Sequence, residues 1–228
     1  MNSLTSSPAV DVLRKLFAEA ASADKSLHDS FADGSYSVEK MLQEDRRDFR
    51  KLCEDQVEYF LNVSPDLGRF LYVASRAVGA RGIVEFGTSF GISSIYLACA
   101  VRDNGGGRLI GTELEPAKAE RAIENIKSAG LDDLVEIRVG DALETLRSGI
   151  VDPIDVVLLD GAYNLYLPVL KLLEPHLAPG ALIIADNAID LEGAYLSYVQ
   201  NAENGYYSIP LPFHPDRGNH LSLYTKTE

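Results

Sequence analysis

Ile83-Val84-Glu85-Phe86-Gly87-Thr88-Ser89-Phe90-Gly91-Ile92-Ser93-Ser94 is the stretch on which the reading of this chain turns. Ile83, Val84 and Phe86 make a short apolar run of the kind found in buried parallel strands. Gly87 and Gly91 permit a tight turn, and Ile92 to Val101 carries the small, apolar pattern of a helix. A strand, a glycine-bearing turn and a helix N-terminus together form a pocket for the polar end of a ligand. The spacing is Glu-x-Gly-x-x-x-Gly, without the middle glycine that lets a backbone approach a pyrophosphate. Ser89 stands in that place, with Phe90 beside it. Glu85, at the carboxyl end of the strand, repels a phosphate and welcomes a cation. The stretch points to a nucleoside carrying an amino-acid tail, and away from NAD.

The chain around it has 228 residues, enough for one α/β domain with a full core. A single domain over 1–228 is expected, with a helical N-terminal cover over 1–62 and a ligand-binding core over 63–228. Apolar residues make up 46% and charged residues 24%, the balance of a soluble globular protein. Asp and Glu number 34 against 21 Lys and Arg, a net charge of −13. That disfavours nucleic acid and anionic membranes as main partners, because affinity for phosphates comes mostly from basic side chains. Cys53 and Cys99 have neither metal-type nor redox-pair spacing and are read as small core fillers. The first residues lack a basic region followed by a long apolar run, and no apolar stretch reaches transmembrane length. A cytoplasmic location is expected.

Ser7-Pro8 reads as a helix opening, with serine as N-cap and proline at the first helical position. Residues 24–36 read as a loop, and 38–61 as a helical repeat whose polar face, Glu44 to Asp48, is solvated. This N-terminal third is expected to cover one edge of a sheet. From residue 83 onward strands and helices alternate, which predicts a Rossmann-like, doubly wound, mostly parallel seven-stranded sheet with helices on both faces. Further strands are expected at 108–113, 135–139, 154–159, 181–185, 206–211 and 220–224. A Pro179-Gly180 turn is expected before the fifth. Glu85, Glu113, Asp141, Asp160 and Asp186 then fall at or just past the carboxyl ends of five strands, the edge where open α/β sheets bind ligands. Any one of them alone serves equally as a helix cap or turn former. Five in register ask for more than capping.

Glu113 lies 22 residues after Gly91, near the separation at which an acid accepts from ribose hydroxyls. Its two oxygens suit a vicinal diol. Asp141-Ala142 offers adenine a side-chain acceptor and a backbone donor, and Ser93 sits where a carboxylate meets helix amides. Those contacts describe S-adenosylmethionine.

The chain resembles class I S-adenosylmethionine-dependent methyltransferases, and among them the metal-dependent O-methyltransferases of the catechol and caffeoyl-CoA type. The resemblance runs from Leu61 to the C-terminus. It is carried by Leu61-Asn62-Val63-Ser64-Pro65, Val84 to Ser93, Thr112-Glu113-Leu114-Glu115-Pro116, Val139-Gly140-Asp141-Ala142, Leu158-Leu159-Asp160-Gly161-Ala162-Tyr163 and Ile183-Ile184-Ala185-Asp186-Asn187. It implies Asn62 and Val63 beside the methionine moiety, Ser93 on its carboxylate and Glu85 on its ammonium. It implies Glu113 on the ribose, and Asp141 with Ala142 on the adenine. Gly87, Ser89, Gly91, Leu114 and Asp160 complete the cofactor site. Asp160, Asp186 and Asn187 match the family's divalent-metal ligands, hard oxygens suited to Mg²⁺. A plain turn after the strand is the alternative for Asp186-Asn187. The family further implies a small-molecule acceptor and a homodimer.

One position departs from the pattern. Many relatives carry a lysine base three residues after the first metal aspartate, and here Tyr163 stands there. It is read as a catalytic-site residue, either a base activated by a nearby cation or an aromatic wall for the acceptor. Lys171 is read as surface. His28, His176, His214 and His220 show no ligand spacing. In this fold the loop 210–218 lies near the acceptor, where His214 or Arg217 can meet an acidic substrate, and a rigid hairpin connection is the alternative for it. Tyr36, Tyr166 and Tyr195 either line the site or pack. The leading function is metal-assisted methyl transfer to a hydroxyl of a small, aromatic or vicinal-diol acceptor. A tRNA nucleoside as acceptor, and a non-catalytic cofactor-binding protein, are the alternatives.

Overall fold

The structure is a computed structural model and describes residues 2–189, 193–213 and 218–226. Four helices come first: α1 (Ala9–Ala23), α2 (Lys25–Ala32), α3 (Val38–Asp55) and α4 (Pro65–Ala77). Then β1 (Gly82–Phe86), α5 (Ile92–Asp103), β2 (Arg108–Glu113), α6 (Pro116–Ser128) and β3 (Val135–Val139) follow in alternation. A single helical turn, α7 (Ala142–Thr145), leads to β4 (Ile154–Leu159), α8 (Tyr166–Leu173) and β5 (Leu177–Ala185). The chain finishes with α9 (Ala194–Gln200), β6 (Tyr206–Pro210) and β7 (His220–Tyr224).

The seven strands lie in one sheet in the order β3-β2-β1-β4-β5-β7-β6. β1 to β5 are mutually parallel, and β7 is antiparallel to both β5 and β6. This is the expected α/β class. The order reverses between β1 and β4, so the crevice of this sheet opens above Phe86 and Leu159, which pair in register. Ile83 and Val156 point into one core cluster with α1, α4, α5 and α6, while Val84 and Val157 point into the other with α8 and α9. A strand buried on both faces explains why β1 and β4 read as unbroken apolar runs.

Several local expectations need correction. α1 starts at Ala9 with no side-chain cap, because Pro8 lies outside it and offers its carbonyl to Asp11 and Val12. Residues 25–32 are helix, not loop, and Leu27 buries there. α3 ends at Asp55 and breaks at Asp48 (φ −162°, ψ 86°), whose carboxylate accepts from the amide of Lys51 and so restarts the helix. Helix α4 was not anticipated; Ser64 caps it through the amide of Leu67, and Pro65 opens it. β5 begins at Leu177, so Pro179 and Gly180 lie within the strand, beside the register shift between Ile154 and Val156. The N-terminal helices do not sit at a sheet edge. α1 packs on α5 and α6, and α3 lies over the carboxyl-end rim against the turn at 163–165. Among the described residues no helix is long and apolar enough to cross a membrane.

Candidate active site

A cavity of about 390 Å³ opens on the carboxyl-end rim of the sheet, roofed by α2 and α3. Asn62, Gly87, Ser89, Ser93, Glu113, Leu114, Asp141, Ala142, Asp160, Tyr163, Asp186 and Asn187 all line it. Fifteen expected residues thus divide into twelve on the wall, two behind it, Val63 and Glu85, and Gly91 in the supporting turn. Val63 is buried in the core cluster beneath α4.

The turn after β1 is the most constrained part. Gly87 has φ +95°, and a Cβ built there would stand 2.1 Å from the backbone oxygen of Asp160. Only glycine allows β1 and the end of β4 to approach so closely. Ser89 also takes a left-handed conformation, φ +48°. Its amide donates to Glu113 Oε2 (2.7 Å) and its hydroxyl to the carbonyl of Phe60 (2.7 Å). The amide of Glu115 donates to Glu113 Oε1 at 2.9 Å. Each Glu113 oxygen thus carries one anchoring bond and keeps lone-pair capacity toward the cavity.

Glu85 lies wholly out of solvent. Thr88 (3.0 Å) and Ser94 donate to its Oε2, whereas its Oε1 is buried with no hydrogen-bond partner. Burial pushes this carboxyl above its usual range, and nearby Glu113 adds to the effect against the hydroxyl donors Ser93, Ser94 and Thr88. A buried acceptor left open is a receptacle for a donor such as an ammonium. Gly91 (φ +88°) precedes α5 and gives no side-chain cap, so the first-turn amides beside Ser93 are free for an anion.

At the other end, Asp160 and Asp186 follow adjacent parallel strands and lie side by side. Burial, then the charge of Asp186 and that of Glu85, hold Asp160 well above the usual carboxylate range. The amide of Asn187 (φ +49°) donates to Asn219 Oδ1 at 2.9 Å, and Asn187 Oδ1 is buried without a hydrogen-bond partner. Two crowded carboxylates and an orphan amide oxygen fit a hard divalent cation, which would relieve both. Among the described residues no three His, Cys, Asp or Glu side chains converge as a metal cluster, so any such site is this mixed set.

The roof supplies residues that sequence reasoning missed. Asp45, expected on a solvated face, is 2% exposed and accepts from the amide of Asn164 at 3.0 Å. Arg50 pairs with Asp141 Oδ2, while the amide of Leu143 donates to Asp141 Oδ1 at 2.9 Å. Asp24 accepts from the amides of Phe60 (2.6 Å) and Leu61 (2.9 Å), and thereby holds Leu61 at φ +50° just before Asn62. Phe31, Val38 and Met41 face the cavity opposite Tyr163, whose hydroxyl lies 3.8 Å from Met41 Sδ. Those partners stand tens of residues apart in the chain, and only the apolar stripe of α3 foretold an inward face.

Of the other tyrosines, Tyr166 and Tyr195 are fully buried and pack edge to face, and Tyr166 donates to the carbonyl of Asp186 at 2.6 Å. Tyr36 donates to Glu44 at 2.6 Å and is not on the wall. Lys171 lies over the ring of Tyr198 near Glu174, as expected of a surface residue. Burial pushes Cys53 and Cys99 up to about 12, so neither is a thiolate. His28 reaches the cavity wall, His176 lies 3.2 Å from Asp152, and His220 is buried on β7 with its pKa lowered by burial. His214 and Arg217 lie outside the described residues.

Residues 84–188 match the family model described as a methyltransferase domain. The chain is 36% identical over 132 residues to the catechol O-methyltransferase of Niastella koreensis, covering 57% of this chain and 59% of that protein. It is 35% identical over 127 residues to the catechol O-methyltransferase of Mycobacterium tuberculosis, covering 56% of this chain and 57% of that one. The matches thus span under three-fifths of these relatives' length. Among solved structures, the O-methyltransferase TomG of Streptomyces achromogenes in complex with S-adenosylmethionine superposes with a TM-score of 0.66 at 26% identity, over 82% of this chain and 90% of that one. The Bacillus cereus O-methyltransferase in complex with S-adenosylhomocysteine shares the fold, with a TM-score of 0.67 at 24% identity over 88% of this chain and 97% of that one. Together these bear out the resemblance to class I S-adenosylmethionine-dependent O-methyltransferases of the catechol and caffeoyl-CoA type.

Proposed function

We propose, from a methyltransferase domain of this kind, that the protein moves a methyl group from S-adenosylmethionine to a hydroxyl of a small aromatic or vicinal-diol acceptor. The observation that carries the reading is one cavity joining two unlike ends. At one end are free helix amides and an anchored Glu113, with an orphan Glu85 oxygen buried just behind them; at the other are Asp160, Asp186 and Asn187. The comparisons support the cofactor.

In this reading Ser93 and the first-turn amides of α5 bind the methionine carboxylate beside Asn62, and Glu85 Oε1 takes up the ammonium. Glu113 accepts from the ribose hydroxyls, and Leu114, Asp141 and Ala142 bound the adenine. Asp160, Asp186 and Asn187 would hold a divalent cation such as Mg²⁺. When bound, that ion supplies positive charge that lowers the pKa of an acceptor hydroxyl and fixes its orientation. Tyr163, with Met41 and Phe31 opposite, serves as an aromatic wall that holds the acceptor ring and keeps water out. The acceptor hydroxyl gives up its proton to solvent, and its oxygen then attacks the sulfonium methyl in line. A C–O bond forms as the S–CH₃ bond breaks, and S-adenosylhomocysteine leaves. The enzyme is taken as a single-domain cytoplasmic protein, the expectation read from the sequence, and as a homodimer, as the resemblance implies.

The test is titration calorimetry with S-adenosylhomocysteine, followed by transfer of labelled methyl to a panel of catechols with and without chelator. Heat on binding and chelator-sensitive transfer are expected. No heat with donor or demethylated product would sink the cofactor; undiminished transfer after chelation would sink the metal. A second reading, a cofactor-binding protein without turnover, is favoured by one observation, the tyrosine in place of the usual lysine. It predicts heat with the cofactor and no labelled product from any acceptor.

A further inference from the structure

Lys118, the third residue of α6, lines the cavity from the side of Glu113, yet it is 94% withdrawn from solvent, with 6% exposure. Among the described residues no carboxylate pairs with it and no acceptor hydrogen-bonds to it. Its Nζ lies 5.5 Å from the centroid of Phe90, a ring that also stacks on Phe60 at 4.2 Å. Glu113, Cys53, Asp24 and Glu115 surround it at longer range, from β2, α3, the α1–α2 junction and the start of α6. Removing an ammonium from water without a partner is costly, and this one is kept in a cavity wall where a ligand can meet it. Burial lowers its pKa, against the pull of the surrounding acids.

The need it answers lies next to it. Glu113 only accepts hydrogen bonds, and one anchoring amide already occupies each oxygen. A vicinal diol gives it two protons, and the diol's own lone pairs then face the cavity wall and want a donor. We propose that Lys118 is a cofactor-binding residue that donates to the ribose oxygens while Glu113 accepts from them. The pair reads the diol from both sides, as acceptor and as donor. This rests on the reading of the cavity as a nucleoside site.

Calorimetry on the full chain with S-adenosylhomocysteine and with its 2′,3′-dideoxy analogue tests it, in the wild type, Lys118→Met and Lys118→Gln. Both variants are expected to weaken S-adenosylhomocysteine about tenfold or more, the usual worth of a hydrogen bond to a charged group. The dideoxy analogue is expected to bind all three proteins alike. Melting temperatures of the variants should stay level or rise, because a desolvated charge is gone; Lys118→Gln, which keeps polarity, serves if the methionine variant does not fold. Equal weakening of both ligands would mean a packing role and overturn the inference, as would unchanged affinity for S-adenosylhomocysteine. A wild type silent toward S-adenosylhomocysteine would overturn the nucleoside reading itself, and this inference with it.

Discussion

The rim of the sheet and the helical roof above it enclose the same cavity but are built by opposite means. The rim is assembled from short contiguous stretches, each a strand end running into its own turn. Its residues bond mostly to near neighbours in sequence: Thr88 and Ser94 to Glu85, Glu115 to Glu113, Leu143 to Asp141. The roof is held by a few contacts that cross the chain. Asp45 reaches Asn164 119 residues away, and Arg50 reaches Asp141 91 residues away. In the proposed function the rim fixes the chemistry and the roof what is admitted to it. Local bonds make a site that tolerates little change, whereas a few distant clasps leave the roof free to vary.

The largest effect that separates the two is at the rim. Asp160→Ala and Asp186→Ala are expected to cut methyl transfer by about 10²–10³-fold, the scale of losing a charge-stabilising group. Binding of S-adenosylhomocysteine should persist; if both variants turn over normally, the rim's chemical role is wrong. Next comes Gly87→Ala, which forces a Cβ onto the Asp160 backbone at a left-handed φ. A loss of about 3 kcal/mol in thermal or urea unfolding is expected. An unchanged melting temperature would break the claim that β1 and β4 are fused there.

The roof should give smaller numbers. Asp24→Ala strips the acceptor from two backbone amides, one of them buried, and releases Leu61 from its left-handed conformation. About 2 kcal/mol of stability should go, with weaker S-adenosylhomocysteine binding because Asn62 is no longer presented. Should affinity survive while stability falls, the Phe60–Leu61 segment does not position the cofactor. Arg50→Ala is the smallest. That ion pair has Arg50 side-chain exposure of 54%, so about 0.5 kcal/mol is expected, vanishing in high salt. A large, salt-resistant loss would make the roof far more rigid than its contacts suggest.

The same contrast explains what the sequence disclosed. The β1 turn was legible because strand, glycine spacing and helix start are encoded within twelve consecutive residues. The acids of the rim followed, since each ends an apolar run. Asp45 was misread because a carboxylate on a helix is solvated unless something distant buries it, and Asn164 carries no mark of doing so. Lys118 gave no signal for the same reason. Helix α2 was missed because it is short and buries only Leu27, too little apolar pattern to outweigh its polar residues. Pro179-Gly180 suggested a turn, yet the strand carries them at exposed positions.

One detail of the β1–β4 seam reaches beyond stability. The amide of Asp160 donates to the carbonyl of Phe86 at 2.8 Å, and the next residue, Gly87, begins the turn that we propose beds the nucleoside. In that proposal donor bed and acceptor anchor are consecutive stitches of one fabric. On the proposed reading the line of flight between leaving group and incoming oxygen is set by peptide geometry, so the helical canopy can be exchanged for another and the diet altered without re-aiming the shot.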